Sequence, residues 1–477
     1  MADLKTKDRM KIPRTEMPLR DADVRKHDFH EVPIGFTLEE AIVEASRCID
    51  CGKPHCVAGC PVSIDIPGFL KALEKGDMQK SINILMDTNQ LPAICGRVCP
   101  QDEQCELVCI VGKKNKPVAI GNLERFVADY ATTHNLIPDF TPTDAMEINQ
   151  KIAIAGSGPA GLTVAAELRK LGYQVKVFEA LHKPGGVLFY GIPRFRLPAQ
   201  VIDNEINNLK AMGVEVELNA LIGRTYTVDH LFSEGYDAVM VGTGAGLPKM
   251  LGLPGENLKG VFAANEFLTR VNLMRADKFP EYITPVIVGK DVVIIGAGNT
   301  AMDAARTAMR FKPNSVTVVY RRSREEAPAR TEEIEHAEQE GVKFLFLNNP
   351  VEMTGDDEYN LREMKLIKME LGEPDEGGRR RPIAVKGSEY NIKCDMMVSA
   401  LGFGVNPLIT STTEGIDVNS WGAIVVDDNG MTTKEGVFAA GDIITGGSTV
   451  IMAMGQAKTA AVGIDRYLRT KRGAKTE

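Results

Sequence analysis

Lys151-Ile-Ala-Ile-Ala-Gly-Ser-Gly-Pro-Ala-Gly161 is the stretch that decides how this chain folds. An apolar strand runs into Gly156, and Gly156, Gly158 and Gly161 follow at GxGxxG spacing. The first glycine permits a sharp turn, the second lets a pyrophosphate approach the backbone, and the third lets the next helix lie close to the strand. That helix opens with free N–H groups directed at the phosphate, and Ala160 lies in its first turn. A second strand, Val175–Glu179, ends in an acid placed to bond ribose hydroxyls. A bare GxGxxG is weak evidence. Flanked by strand, helix and acid, it points to an ADP-containing dinucleotide rather than to a chance glycine-rich turn.

The arrangement recurs. Asp291-Val-Val-Ile-Ile-Gly-Ala-Gly-Asn-Thr-Ala301 has the GxGxxA form, and the strand after it, Ser315-Val-Thr-Val-Val-Tyr-Arg-Arg322, ends in arginines. An acid at that position repels a 2′-phosphate, whereas guanidinium groups pair with it. Glu179 therefore suits an unphosphorylated ribose, and Arg321 and Arg322 suit NADP(H). The alternative for the arginines is a solvated surface pair.

Eight of the nine cysteines lie between Cys48 and Cys109. They form two runs, Cys48-x2-Cys51-x4-Cys56-x3-Cys60-Pro61 and Cys95-x3-Cys99-Pro100-x4-Cys105-x3-Cys109. Closely spaced thiolates with a Cys-Pro step are what iron–sulfur cubanes need. Zinc is the rival metal, but these spacings do not split into paired CxxC knuckles. The ninth, Cys394, precedes an apolar strand and reads as a core thiol.

The chain has 477 residues, 44% hydrophobic and 25% charged, with net charge −8. That length allows two to four domains, and the negative balance argues against nucleic acid. No apolar run reaches the ~18 residues of a membrane helix. The start has no apolar core for a signal peptide, so a cytoplasmic protein is expected. The expected class is α/β: two Rossmann-like dinucleotide-binding domains behind an α-helical cysteine-bearing domain. The boundaries expected are an arm at 1–37, the helical iron–sulfur domain at 38–148, the first dinucleotide domain at 149–246 and 401–477, and the second at 247–400. The arm is either mobile or docked on a partner or the next domain. Asp139–Gln150 reads as a linker, and Glu373–Arg381 as a solvated loop.

Three further stretches flank the first dinucleotide site. Pro184-Gly-Gly-Val-Leu-Phe-Tyr-Gly-Ile-Pro-Arg-Phe-Arg-Leu-Pro198 opens on a tight turn fit for close approach to a flat cofactor, with Val187 beside it and Arg196 as a nearby charge. Tyr236–Ala245 is a buried strand ending in a glycine turn. Gly436-Val-Phe-Ala-Ala-Gly-Asp442 ends a strand in Gly441 and Asp442; the aspartate is either a turn cap or a partner for a ribityl chain. An amphipathic helix follows.

The cysteine runs, GSGPAG with Glu179, GGVLFYGIPRFRLP, GAGNTAMD with Tyr-Arg-Arg, and VFAAGDI together cover nearly the full length. On these motifs the sequence resembles the small (beta) subunit of bacterial glutamate synthase. It resembles equally the large subunit of the NADH-dependent ferredoxin:NADP oxidoreductase, which performs flavin-based electron bifurcation. The N-terminal half of dihydropyrimidine dehydrogenase shares the layout.

The resemblance implies FAD at the first glycine-rich site, NADP(H) at the second, and two [4Fe–4S] clusters. It implies a first cluster on Cys48, Cys51, Cys56 and Cys109, and a second on Cys60, Cys99 and Cys105 with Glu124 as fourth ligand and Cys95 as its rival. FAD contacts are implied for Gly156, Gly158, Ala160, Gly161, Glu179, Val187, Arg196, Gly441 and Asp442. NADP(H) contacts are implied for Gly298, Asn299, Thr300, Arg321, Arg322, Ala400 and Gly402. Hydride transfer to a flavin needs alignment more than an acid or base, so no catalytic residue is assigned.

The expected activity moves electrons between NADP(H) and a partner subunit through FAD and the clusters. The partner implied is a glutamate synthase large subunit, or a small FAD and [2Fe–2S] subunit with ferredoxin as a further acceptor, in a hetero-oligomer. A disulfide reductase is disfavoured, because no CxxC or CxxxxC follows Gly156. A scaffold subunit without a substrate is the other alternative, and the arginine pair speaks against it. With Met1-Ala2 at the start there is no N-terminal cysteine nucleophile for glutamine hydrolysis. The segment from Lys113 to Tyr130 and the Cys60-to-Cys95 spacing lean toward the bifurcating relatives.

Overall fold

The computed structural model describes residues 4–136, 148–374 and 378–476. Its first glycine-rich unit is the centre of a five-stranded parallel sheet. The order is Val437–Ala439, Ala238–Val241, Ile148–Ala155, Tyr173–Glu179, Glu215–Leu218. Ile152, Ala153, Ile154 and Ala155 are sealed from solvent, as a strand covered on both faces requires. The chain leaves this sheet after Val241 and returns to its edge at Val437, so two separated segments build it.

Between those visits the chain forms a second five-stranded parallel sheet. Its order is Val261–Ala263, Met396–Ser399, Asp291–Ile295, Ser315–Tyr320, Lys343–Phe346. An antiparallel group (Asn348–Gly355, Leu361–Pro374, Arg380–Ala384 and Tyr390–Lys393) is inserted before Met396. The two passages between the sheets pair with each other, Leu247–Pro248 against Phe403–Gly404. Cys394 is buried, with its sulfur 3.3 Å from the Met396 carbonyl oxygen.

The N-terminal region is helical. Thr37 caps Leu38–Ala45 through a reciprocal pair of bonds with Glu40, a device legible in sequence. Helices Ile66–Glu74, Met78–Thr88, Pro92–Val98 and Ile120–Thr133 follow. The last two meet at Gly96, where a Cβ would stand 2.5 Å from the Arg125 nitrogen. Leu85, Ile94 and Leu123 share one core with Leu162 of helix Pro159–Lys170 and Met454 of helix Val450–Thr476. The helical region and the first sheet are therefore welded rather than hinged.

The described part of the arm is docked on the chain's own body. Arg9 reaches the Ser46 carbonyl at 2.7 Å and Glu74 at 2.8 Å. Arg14 pairs with Glu106 at 2.7 Å. Phe29 sits 6.5 Å from Phe195 and 5.9 Å from Phe311, centroid to centroid, and the Val32 N–H donates to the Phe195 carbonyl. The arm thus touches the helical region and both sheets' units.

Residues 139–147 of the expected linker and 375–377 of the expected solvated loop lie outside the described residues. Among the described residues no helix is long and apolar enough to cross a membrane.

Candidate cofactor sites

Four glycine-rich turns converge at the carboxyl end of the first sheet. Gly156 has φ +100°, and a Cβ on it would meet the Gly242 carbonyl oxygen at 2.7 Å. A Cβ on Gly161 would stand 2.0 Å from the Gly156 oxygen. The Gly185-Gly186 turn lies over Gly158, and Gly441 lies against Ala160. The turns at Gly156–Gly161, Gly185-Gly186, Gly242 and Gly441 therefore meet at one place, with Val187 exposed beside them. Gly158 supplies no side-chain cap to helix Pro159–Lys170, so the first N–H groups are free for an anion.

Glu179 is tied to the first of these turns. Its Oε2 accepts from the Ser157 N–H at 3.0 Å and from the Ser157 hydroxyl, and Oε1 accepts from the Leu181 N–H at 2.8 Å. Ser157 Oγ accepts in turn from the Gly185 N–H at 2.9 Å. Asp442 Oδ1 accepts from the Ser448 N–H and hydroxyl, and burial raises its pKa. Burial and then the charges of Asp442 and Glu179 push the Tyr190 hydroxyl up to about 12. Ser157 and Tyr190 lie inside the quoted motifs, yet nothing in those motifs singled them out.

Arg196 is held from the second dinucleotide unit. Its Nη1 donates to Asp303 at 2.8 and 2.9 Å, and its Nε lies 3.0 Å from Glu333 without a hydrogen-bonding angle. Both carboxylates belong to helices of the second dinucleotide unit. A buried guanidinium needs such partners, and two of them claim it across the boundary.

At the second site Gly296 has φ +120°, and a Cβ on it would meet the Ala400 carbonyl oxygen at 2.5 Å. Gly298 precedes helix Asn299–Met309 without capping it. Thr300 is half-buried in the first turn, and Asn299 Oδ1 accepts from the Arg330 N–H at 3.0 Å. Gly402 has φ +93° and lies in the returning passage, its carbonyl accepting from the Lys249 N–H. The two arginines differ. Arg321 is exposed and has no charged partner among the described residues. Arg322 is buried, and its Nε donates to the Arg380 carbonyl at 2.8 Å.

The thiols form two groups. Cys48, Cys51, Cys56 and Cys109 line one recess with Pro54, Ile66 and Leu70. Cys60, Cys99, Cys105 and Glu124 are all buried, and burial, then the charges of Glu106, Glu124, Cys99 and Cys60, raises the Cys105 thiol's pKa. Cys60 Sγ accepts N–H bonds from Ile64 and Val62. Cys95 lies against Cys99 and is fully buried. Burial pushes the thiols of Cys48 and Cys60 up to about 11 and that of Cys56 to about 12. Thiolates at such positions need a metal's positive charge. Among the described residues no three His, Cys, Asp or Glu close around a single-ion point.

Comparison with known proteins agrees with this layout. Residues 25–136 match the family of dihydropyrimidine dehydrogenase domain II, 4Fe-4S cluster. Residues 150–457 match the pyridine nucleotide-disulphide oxidoreductase family. The chain is 37% identical over 458 residues to the NADPH glutamate synthase small chain of Azospirillum brasilense, covering 95% of this chain and 94% of that one. It is 35% identical to the NADPH-Fe(3+) oxidoreductase subunit beta of Geobacter sulfurreducens, covering 90% of this chain and 66% of that one. Mycobacterium tuberculosis FprA in complex with NADPH shares the fold, with a TM-score of 0.57 at 22% identity over 68% of this chain and 86% of that one.

Proposed function

The chain belongs to the glutamate synthase small-chain family, and from that premise we propose that it carries electrons between NADP(H) and a partner redox subunit. It is an NADP(H)-dependent flavin and iron–sulfur oxidoreductase subunit. When bound, FAD supplies the exchange between a two-electron hydride and single electrons. The chain's own residues bind, orient and insulate. The turns at Gly156–Gly161 and Gly441–Asp442 hold the FAD; Glu179 organises its ribose end through Ser157. Asn299 and Thr300 begin the NADP(H) helix, and Arg321 faces the 2′-phosphate. Cys48, Cys51, Cys56 and Cys109 hold one cluster, and Cys60, Cys99, Cys105 and Glu124 hold the other.

One observation carries this reading. Gly441, beside the first turn of the FAD helix, has its N–H bonded to Gln456 at 2.9 Å, and Met454 on the same terminal helix lies 3.5 Å from Cys95. The FAD turns and the second thiol group thus share one helix. The partner is a second redox subunit, of the glutamate synthase large-subunit type or a small flavoprotein with a [2Fe–2S] centre. Anaerobic NADPH titration of the reconstituted chain tests the route: flavin bleaching should be followed by the paramagnetic signature of reduced clusters. Bleaching that never reaches the clusters defeats it. Identification of the co-purifying chain separates the two partners.

A further inference from the structure

Asn89 stands between the two side chains that compete for one corner of the second thiol group, and its role there rests on the proposed assignment of Glu124 as the ligand. Asn89 ends helix Met78–Thr88 and is fully buried. The orientation of its amide is determined. Oδ1 accepts from the Leu91 N–H at 2.9 Å, and a backbone N–H can only donate. Nδ2 therefore faces the other way and donates to Glu124 Oε1 at 2.6 Å. The same Oδ1 lies 3.7 Å from Cys95 Sγ, which also touches the Met454 thioether at 3.5 Å and lies against Cys99.

One amide thus treats the rivals in opposite ways. It donates to one carboxylate oxygen of Glu124 and fixes the side chain, leaving Oε2 free. It presents an acceptor to the Cys95 sulfur and, with Met454, holds that thiol among electron-rich atoms. We propose that Asn89 is the positioning residue that selects Glu124 over Cys95 as the fourth ligand of the second cluster. A carboxylate is a harder donor than a thiolate, so this choice sets the potential of that cluster.

The test uses the anaerobically reconstituted full chain and reads the EPR spectrum and midpoint potential of the second cluster, with iron and flavin content measured alongside. Asn89→Ser keeps a hydroxyl for the Leu91 N–H but is too short to reach Glu124. It is expected to shift both spectrum and potential, and Cys95→Ser added to it should remove the new spectrum. Cys95→Ser alone should leave the wild-type spectrum intact. Asn89→Leu serves as a second variant of similar size. Loss of the second cluster alone from both variants also supports the proposal. Wild-type spectrum and potential in both variants overturn it, and so does joint loss of both clusters and flavin, the mark of a merely structural residue. The ligand assignment fails separately if Cys95→Ser changes the spectrum and Glu124→Ala does not.

Discussion

Arg25 and Glu340 meet at 3.0 Å with 2% and 0% of their side chains exposed, although 315 residues separate them. Arg306 and Arg310 reach the same carboxylate at 2.7 and 2.8 Å. Burial opposes its ionisation, yet Arg306 and Arg310 hold Glu340 down at about 2. Arg310 also stacks on Phe195, 3.7 Å from the ring centroid. Arm, first sheet unit and second sheet unit are joined at this point.

Glu340→Gln should therefore destabilise the fold strongly, by about 3–5 kcal/mol, because it leaves the buried guanidinium groups of Arg25 and Arg310 without a carboxylate, while Arg306 keeps Glu333. Arg25→Met should cost less, because Glu340 keeps two partners. Urea unfolding midpoints compare the two, and high salt should change neither much, since buried pairs are poorly screened.

Two buried groups should tilt stability with pH in opposite directions. Burial and the charge of Arg306 depress His336 to about 4, so below its ordinary 6.5 the unfolded chain takes up the proton first. Stability is then lost as pH falls from 6.5 toward 4, by up to about 3 kcal/mol. Burial raises Glu205 to about 7 from an ordinary 4.5, so stability is lost as pH rises through that window. His336→Gln should flatten the acid limb and Glu205→Gln the other, as read from unfolding free energy against pH.

The two arginines after strand Ser315–Tyr320 should separate in kinetics. Arg321→Gln is expected to raise KM for NADPH about 10- to 100-fold, the equivalent of one charged hydrogen bond, and to leave KM for NADH unchanged. Arg322→Ala should lower thermal stability instead and preserve the NADPH-to-NADH preference, because its Nε is engaged with the Arg380 carbonyl. Steady-state assays with both nucleotides decide.

Gly161→Ala should empty the flavin site. The added methyl would stand 2.0 Å from the Gly156 oxygen, and separating helix from loop moves the N–H groups that meet the pyrophosphate. Overpacking of this kind costs about 1–3 kcal/mol. The flavin-to-protein ratio after purification should fall well below that of the wild type.

What the sequence determined by itself was everything encoded in local spacing: both glycine-rich turns, the capping box at Thr37, the swap of Glu179 for Arg321 and Arg322, and the two cysteine runs. Turn geometry, phosphate approach and ligand spacing are short-range constraints, so neighbours in sequence express them. The tertiary structure alone decided what depends on distant partners. Arg196 reads as a charge beside the flavin, but Asp303 and Glu333 lie more than a hundred positions away and no local pattern announces them. The arm reads as either mobile or docked, and only its arginines, buried against carboxylates from other units, decide for docking. Asn89 carries no motif at all; its role exists because the fold sets one amide between Glu124 and Cys95. Charges and amides take their meaning from whatever faces them, and only the folded chain supplies that.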